Sequence, residues 1–200
     1  MSSEPGYGVV SGPNDRMKQE IGEIVIAHAN CDPLLASLMQ ALTKTDEQTN
    51  LLLIQHLKLK GSSMADFILA MVEKVDDLHP LIRKSIQTTI KSYRKLSSYR
   101  NEVAHWQWNP SEPGKNSALL RNTLSKKPSE SEKIYTLQNL RDIATGLHGV
   151  FGLIGATVGM VASGFPEHAV PHVITVVEAN LEKVRLATLD VPEPSAEELP

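Results

Sequence analysis

Cysteine is almost missing from this chain: Cys31 is the single one in 200 residues, so no disulfide can form within it. Aromatic residues amount to 4%, and few segments alternate apolar and polar positions, which argues against a sheet-dominated fold. The N-terminus lacks the basic-then-apolar order of a secretion signal, and this places the chain in the cytoplasm. A formal charge of −3 excludes coating nucleic acid through bulk positive charge, so any such contact must be local. No GxxxxGK[ST] or GxGxxG stretch is present, which removes phosphate loops of the Walker and Rossmann kinds.

What is present suits one mainly helical domain, 41% hydrophobic, with ragged ends. Residues 1–13 and 190–200 are rich in Gly, Pro and Ser or in acid and proline, and read as disordered tails. Asn14 or Asp15 can cap a first helix with Met17, Ile21, Ile24, Val25 and His28 at core spacing; His28 reads as a histidine at the buried edge. Asp32-Pro33 predicts a fresh helix start, and Thr45 with Gln48 a capping box. The helix that follows should stop at Gly61, and Ser63 should open the next. Residues 80–106 predict one long helix, with Ile82, Ile86, Ile90, Tyr93, Leu96, Val103 and Trp106 at three- to four-residue intervals and one longer gap. Beyond Asn109-Pro110, residues 117–125 and 131–136 flank "KKPSE" as a β-hairpin, and Thr136 caps a helix from Leu137.

Residues 143–165 carry no fixed charge and exceed the roughly 20 residues needed to span a bilayer. Six glycines, His148 and flanks without Lys/Arg asymmetry favour a packed soluble helix instead, so no membrane partner is expected. A last apolar stretch within 166–189 reads as one more helix. His168 and His172 are four residues apart, but Pro171 intervenes and no third ligand is near, so neither a metal nor a cofactor is expected. Cys31 has no basic neighbour and reads as a small packed side chain.

The segment "SSYRNEVAHW" holds the polar groups of interest. Asn101 and His105 form an i,i+4 pair on one helix face, which Arg94 and Ser98 extend. Arg100 sits to the side, with a stem long enough to bring its guanidinium round to a shared anion. Residues 80–106 contain six basic side chains, Arg83, Lys84, Lys91, Arg94, Lys95 and Arg100, against one acidic side chain, Glu102. A basic helix can simply be a solvated face, but the aligned Asn and His distinguish this one.

"RNEVAHWQW" resembles the Arg-Asn-x-x-x-His motif of HEPN domains, helical bundles of which many are metal-independent ribonucleases of toxin, antiphage and RNA-processing systems. The resemblance implies an all-α HEPN-like bundle over residues 14–165, with Arg100, Asn101 and His105 at the catalytic positions. It also implies RNA as substrate, met by Lys84, Lys91, Arg94, Lys95 and Trp108, and a toxin or antiphage role with an antitoxin or regulatory protein as partner. Two positions depart from the family: Trp106 stands where many relatives have glycine, and Gln107 where a tyrosine is modified in those paired with a nucleotidyltransferase antitoxin.

The residue types suit this chemistry on their own account. Cleavage without metal activates the 2′-hydroxyl against the neighbouring phosphate, and needs a base, an acid for the 5′-oxygen and a cation for the phosphorane. Histidine can be base or acid, arginine can grip two phosphate oxygens, and asparagine can hold an oxygen or fix the imidazole tautomer. One motif histidine per chain predicts a homodimer in which two motif helices face each other. The other reading is a non-catalytic module whose basic groove binds RNA, a nucleotide or a partner protein.

Overall fold

The structure, a computed structural model, describes residues 12–109, 115–123 and 132–163, with three isolated helical positions, Thr175, Ala179 and Glu182. Apart from these three, the expected C-terminal helix, both histidines of the 168/172 pair and the acidic end lie outside the described residues, as do residues 1–11. The described chain is mostly helical: α1 (Asp15–Thr43), α2 (Glu47–His56), α3 (Gly61–Val72), α4 (Pro80–His105) and α5 (Leu137–Ala162). Three short strands, β1 (Gln107–Trp108), β2 (Ser117–Arg121) and β3 (Glu132–Thr136), form an antiparallel sheet in the order β1-β2-β3.

Several boundaries follow the local chemistry expected of them. Asn14 Oδ1 accepts the Met17 N–H at 3.0 Å and caps α1. Pro80 opens α4, which runs unbroken to His105. The hairpin pairs Ser117 with Thr136 through to Arg121 with Glu132, and the Thr136 hydroxyl accepts the Asn139 N–H at 3.1 Å to start α5.

Others are corrected by packing. Asp32-Pro33 does not begin a helix; α1 passes straight through it. An interior proline costs about 3 kcal/mol. Beyond it Leu35, Leu38, Met39 and Leu42 are buried on one face, each contributing about 1.5–3 kcal/mol, so burial outweighs the lost backbone bond. The cap of α2 is Asp46, one residue after Thr45, and its carboxylate takes both the N–H and the hydroxyl of Thr49 at 2.9 and 2.6 Å. Helix α2 ends at His56 because Lys58 turns to φ +51°, leaving Gly61 as the first residue of α3. Ser63 lies in the first turn of α3, its hydroxyl accepting the Lys60 N–H at 2.7 Å. Gly12 and Pro13, assigned by composition to the tail, are buried, with Gly12 at φ +101° beside Trp108. Strand β1 has no alternation to announce it and exists because Trp108 and Gln107 pair with Leu120 and Arg121.

Gly61 has a packing role instead of a terminating one. A Cβ there would fall 2.8 Å from Asp32 Oδ1 and closer still to the Tyr93 hydroxyl, where α1, α3 and α4 meet. Gly61→Ala is therefore expected to lower stability by about 1–3 kcal/mol despite its better helix propensity, read as a lower urea midpoint at unchanged slope.

The core is one cluster with α1 and α5 at its centre, and α5 packs most extensively on α1 and next on α4. By length and composition α5 could cross a bilayer; half of its most apolar window is buried inside the fold. Leu140, Ile143, Leu147, Val150, Leu153 and Ile154 are all at 0% exposure.

Candidate active site

Helix α4 carries the site, and its core-facing stripe explains the arrangement. Ile86, Ile90, Tyr93, Leu96 and Val103 are buried, and the long interval between Leu96 and Val103 is occupied by Arg100, four residues after one and three before the other. Arg100 thus starts from the core side of the helix. Its Nε is buried and has no hydrogen-bond partner among the described residues. The end of the side chain turns outward, so that Nη1 donates to Asn101 Oδ1 at 3.1 Å and meets His105 Nε2 at 3.4 Å. A guanidinium can only donate, so the imidazole nitrogen facing it is the acceptor and the His105 proton in this arrangement sits on Nδ1. Asn101 and His105 themselves are exposed. The three motif residues are therefore brought together.

Asn101 and His105 open onto a groove of about 600 Å³ between α4 and the start of α3, lined also by Ser62, Arg94, Ser97, Ser98 and Trp106 among others; Arg100 does not line it and meets it through its contacts with Asn101 and His105. Of the expected RNA contacts, Arg94 lines this groove, where its guanidinium meets Asp66 at 3.2 Å. Both partners are more than half exposed, and an ion pair of that kind contributes at most about 1 kcal/mol. Lys84, Lys91 and Lys95 are exposed on α4 but do not line the groove. Trp108 does not line it either: its indole N–H donates to the Val103 carbonyl at 2.9 Å, closing the end of α4, and its ring meets Tyr135 edge-on. Trp106 is the groove's aromatic, with Lys133 Nζ over its ring at 5.4 Å. Arg83, counted in the basic run, is spent on the Val72 and Val75 carbonyls at the end of α3.

Comparison of the chain with protein-family models, with curated proteins and with solved structures yields no match. The chemistry of the site therefore rests on its geometry alone.

Two groups beside the motif have partners that the sequence did not disclose. Glu102, one residue from Asn101, is held by the sheet: its carboxylate accepts the Tyr135 hydroxyl at 2.5 Å and Lys133 Nζ at 2.7 Å. Burial first, then the Glu102 carboxylate, push the Tyr135 phenol well above its ordinary range, so it remains a donor. This pairing ties the C-terminal end of α4 to β3 and fixes the frame on which His105 stands.

The second group is His28 of α1. Its Nε2 lies 2.9 Å from Ser97 Oγ, and its ring stacks on Tyr93 with centroids 5.3 Å apart at 22°. The Tyr93 hydroxyl donates in turn to Asp32 at 3.3 Å. Desolvation and then the positive charge of Arg100 hold the His28 imidazole below its ordinary pKa, with Asp32 opposing them. A signal was available: His28 falls on the core spacing of α1 between Ile24 and Leu35, as Arg100 does on α4, and a polar residue on a core stripe needs a partner. Cys31, next to this cluster, is buried and its thiol is pushed up to about 12, so it stays protonated and inert.

Proposed function

We propose that this chain is a HEPN-like, metal-independent endoribonuclease that cleaves RNA through attack of the 2′-hydroxyl on the adjacent phosphate. The observation that supports it best is the Arg100 guanidinium, carried from the core side of α4 with a buried Nε and turned onto Asn101 and His105, the two motif residues that line the groove. A phosphate entering the groove replaces the contacts of Nη1 with its own oxygens, and the charge-assisted bonds so formed are the stronger ones. His105 Nε2, released from Arg100, is then available to carry a proton. Asn101 keeps one side of the phosphate or the imidazole in place. Arg94 gives a second cation along the same groove.

A toxin or antiphage role, with an antitoxin or regulatory protein as partner, belongs to the same reading, as does the homodimer. Dimerisation is tested by sedimentation across a concentration series; cleavage that appears with the dimer alone would put the second proton-transfer group on the other chain, and cleavage by the monomer would put it within one chain.

Purified protein is expected to cut single-stranded RNA in the presence of a chelator, leave 2′,3′-cyclic phosphate ends, and spare DNA of the same sequence, which has no 2′-hydroxyl to attack. Mass spectrometry of the fragments reads all three. RNA bound but never cut would turn the assignment to a non-catalytic binding module.

A further inference from the structure

The transesterification needs two proton-transfer groups, and the motif has one imidazole. Glu102, the nearest carboxylate in sequence, is engaged by Tyr135 and Lys133. His28 is placed differently. Ser97, its partner, lines the groove one turn before Asn101, and Arg100 stands on α4 between Ser97 and His105. The ring is fixed from two sides, by the stack on buried Tyr93 and by the contact with Ser97, and Tyr93 is itself anchored through Asp32 against Gly61. Side chains on a helix lean toward its N-terminus, which carries His105 back toward Arg100. His105 Nε2 thus meets the Arg100 guanidinium at 3.4 Å, and His28 reaches the same groove through Ser97, which lines it.

Resting on the ribonuclease reading, we propose that His28, acting through the Ser97 hydroxyl, is the proton acceptor of this groove, so that a single chain holds both groups the cleavage requires. The step takes the His28 tautomer with its proton on Nδ1: the Ser97 hydroxyl turns from the Tyr93 carbonyl, which it meets at 2.7 Å, onto the unprotonated His28 Nε2, and Ser97 takes the proton of the ribose 2′-hydroxyl as its own passes to that nitrogen. The 2′-oxygen bonds to phosphorus, the bond from phosphorus to the 5′-oxygen breaks, and that oxygen takes a proton from protonated His105. The products are a 2′,3′-cyclic phosphate and a 5′-hydroxyl; His28 then releases its proton to solvent and His105 regains one. The charged and titratable groups around His28 are Arg100 and Tyr93 on α4 and Cys31 and Asp32 on α1. On α5, Arg141 and His148 face α1 nearer its N-terminus, where they pair with Glu20 and Glu23. Burial and Arg100 keep the imidazole neutral, the form an acceptor must have, at neutral pH.

The test is a pH series of RNA cleavage by wild type, His28→Asn and Ser97→Ala. Asparagine can still bond to Ser97 but cannot titrate. Both variants are expected to lose about a hundredfold or more in kcat with little change in KM. In wild type, kcat/KM should rise with pH through a midpoint below about 6.5, as the depressed His28 pKa requires, and His28→Asn should lack that acid limb. Because a substitution at this packed site can also unfold α1, the histidine resonances of the wild-type protein are followed by NMR with a 2′-O-methyl oligoribonucleotide, which binds without being cut. The His28 resonance should titrate at higher pH in the complex than in the free protein. A folded His28→Asn with the wild-type rate and pH profile, or a His28 resonance unmoved by bound oligonucleotide while His105 responds, overturns the inference and leaves the ribonuclease reading standing. Wild-type protein that cuts no RNA overturns both.

Discussion

Arg100→Met should abolish RNA cleavage and leave the fold as stable as before or more so. The two effects have opposite signs because the arginine occupies a position that packing alone would give to an apolar residue. Its stem lies on the stripe of Leu96 and Val103, and its Nε is buried with no partner among the described residues, a cost of about 1–3 kcal/mol that methionine of similar length removes. Cleavage loses the cation that meets the phosphorane, on the order of 3 kcal/mol or a hundredfold at the least. Arg100→Lys should recover only part of this, since an ammonium cannot hold two phosphate oxygens at once. His105→Ala should also stop cleavage, yet leave most RNA binding in place, because the phosphate keeps its charge-assisted contacts with Arg100. Urea titrations, gel-based cleavage and RNA-binding titrations of the same preparations check these five outcomes. If Arg100→Met instead lost 2 kcal/mol or more, the guanidinium would be a structural tie for Asn101 and His105, and the catalytic assignment would fall.

Leu147→Ala and Gly152→Lys, both on α5, should separate sharply. Leu147 is at 0% exposure, and truncating such a leucine costs about 2–5 kcal/mol, enough to shift the thermal midpoint by several degrees or more. Gly152 is exposed and a Cβ there would meet nothing within 4 Å, so lysine at this interior helix position should be neutral or stabilising by up to about 1 kcal/mol. In a bilayer the same lysine near mid-span would cost about 2.5–3.5 kcal/mol. Thermal unfolding in detergent-free buffer decides between them. A soluble, stable Gly152→Lys supports α5 as a core helix; a Gly152→Lys that fails to fold, or wild-type chain recovered only with detergent, supports the membrane reading of residues 143–165.

Much of this molecule was written in local chemistry. The helical class follows from the spacing of apolar residues along α4 and α5, whose stripes have no competing period. The cap at Asn14, the proline start at Pro80, the cap at Thr136 and the pairing of Asn101 with His105 each depend on residues within about a turn of one another. Contacts distant in sequence decided the rest. Pro33 stayed inside α1 because the leucines beyond it had a core to enter, and Gly61 became a helix start because Asp32 and Tyr93 left no room for a side chain. The interval in the α4 stripe was visible in the sequence, but that Arg100 fills it, with its Nε buried and its end turned onto His105, depends on what packs against α4. The basic run was likewise legible only as a count: Arg83 serves α3, Arg94 pairs with Asp66 of α3, and Trp108 closes the end of α4 where Trp106 faces the groove. His28 and Ser97 are separated by 69 residues, and a hydrogen bond across that separation is set by how α1 and α4 cross, which no periodicity along either helix specifies.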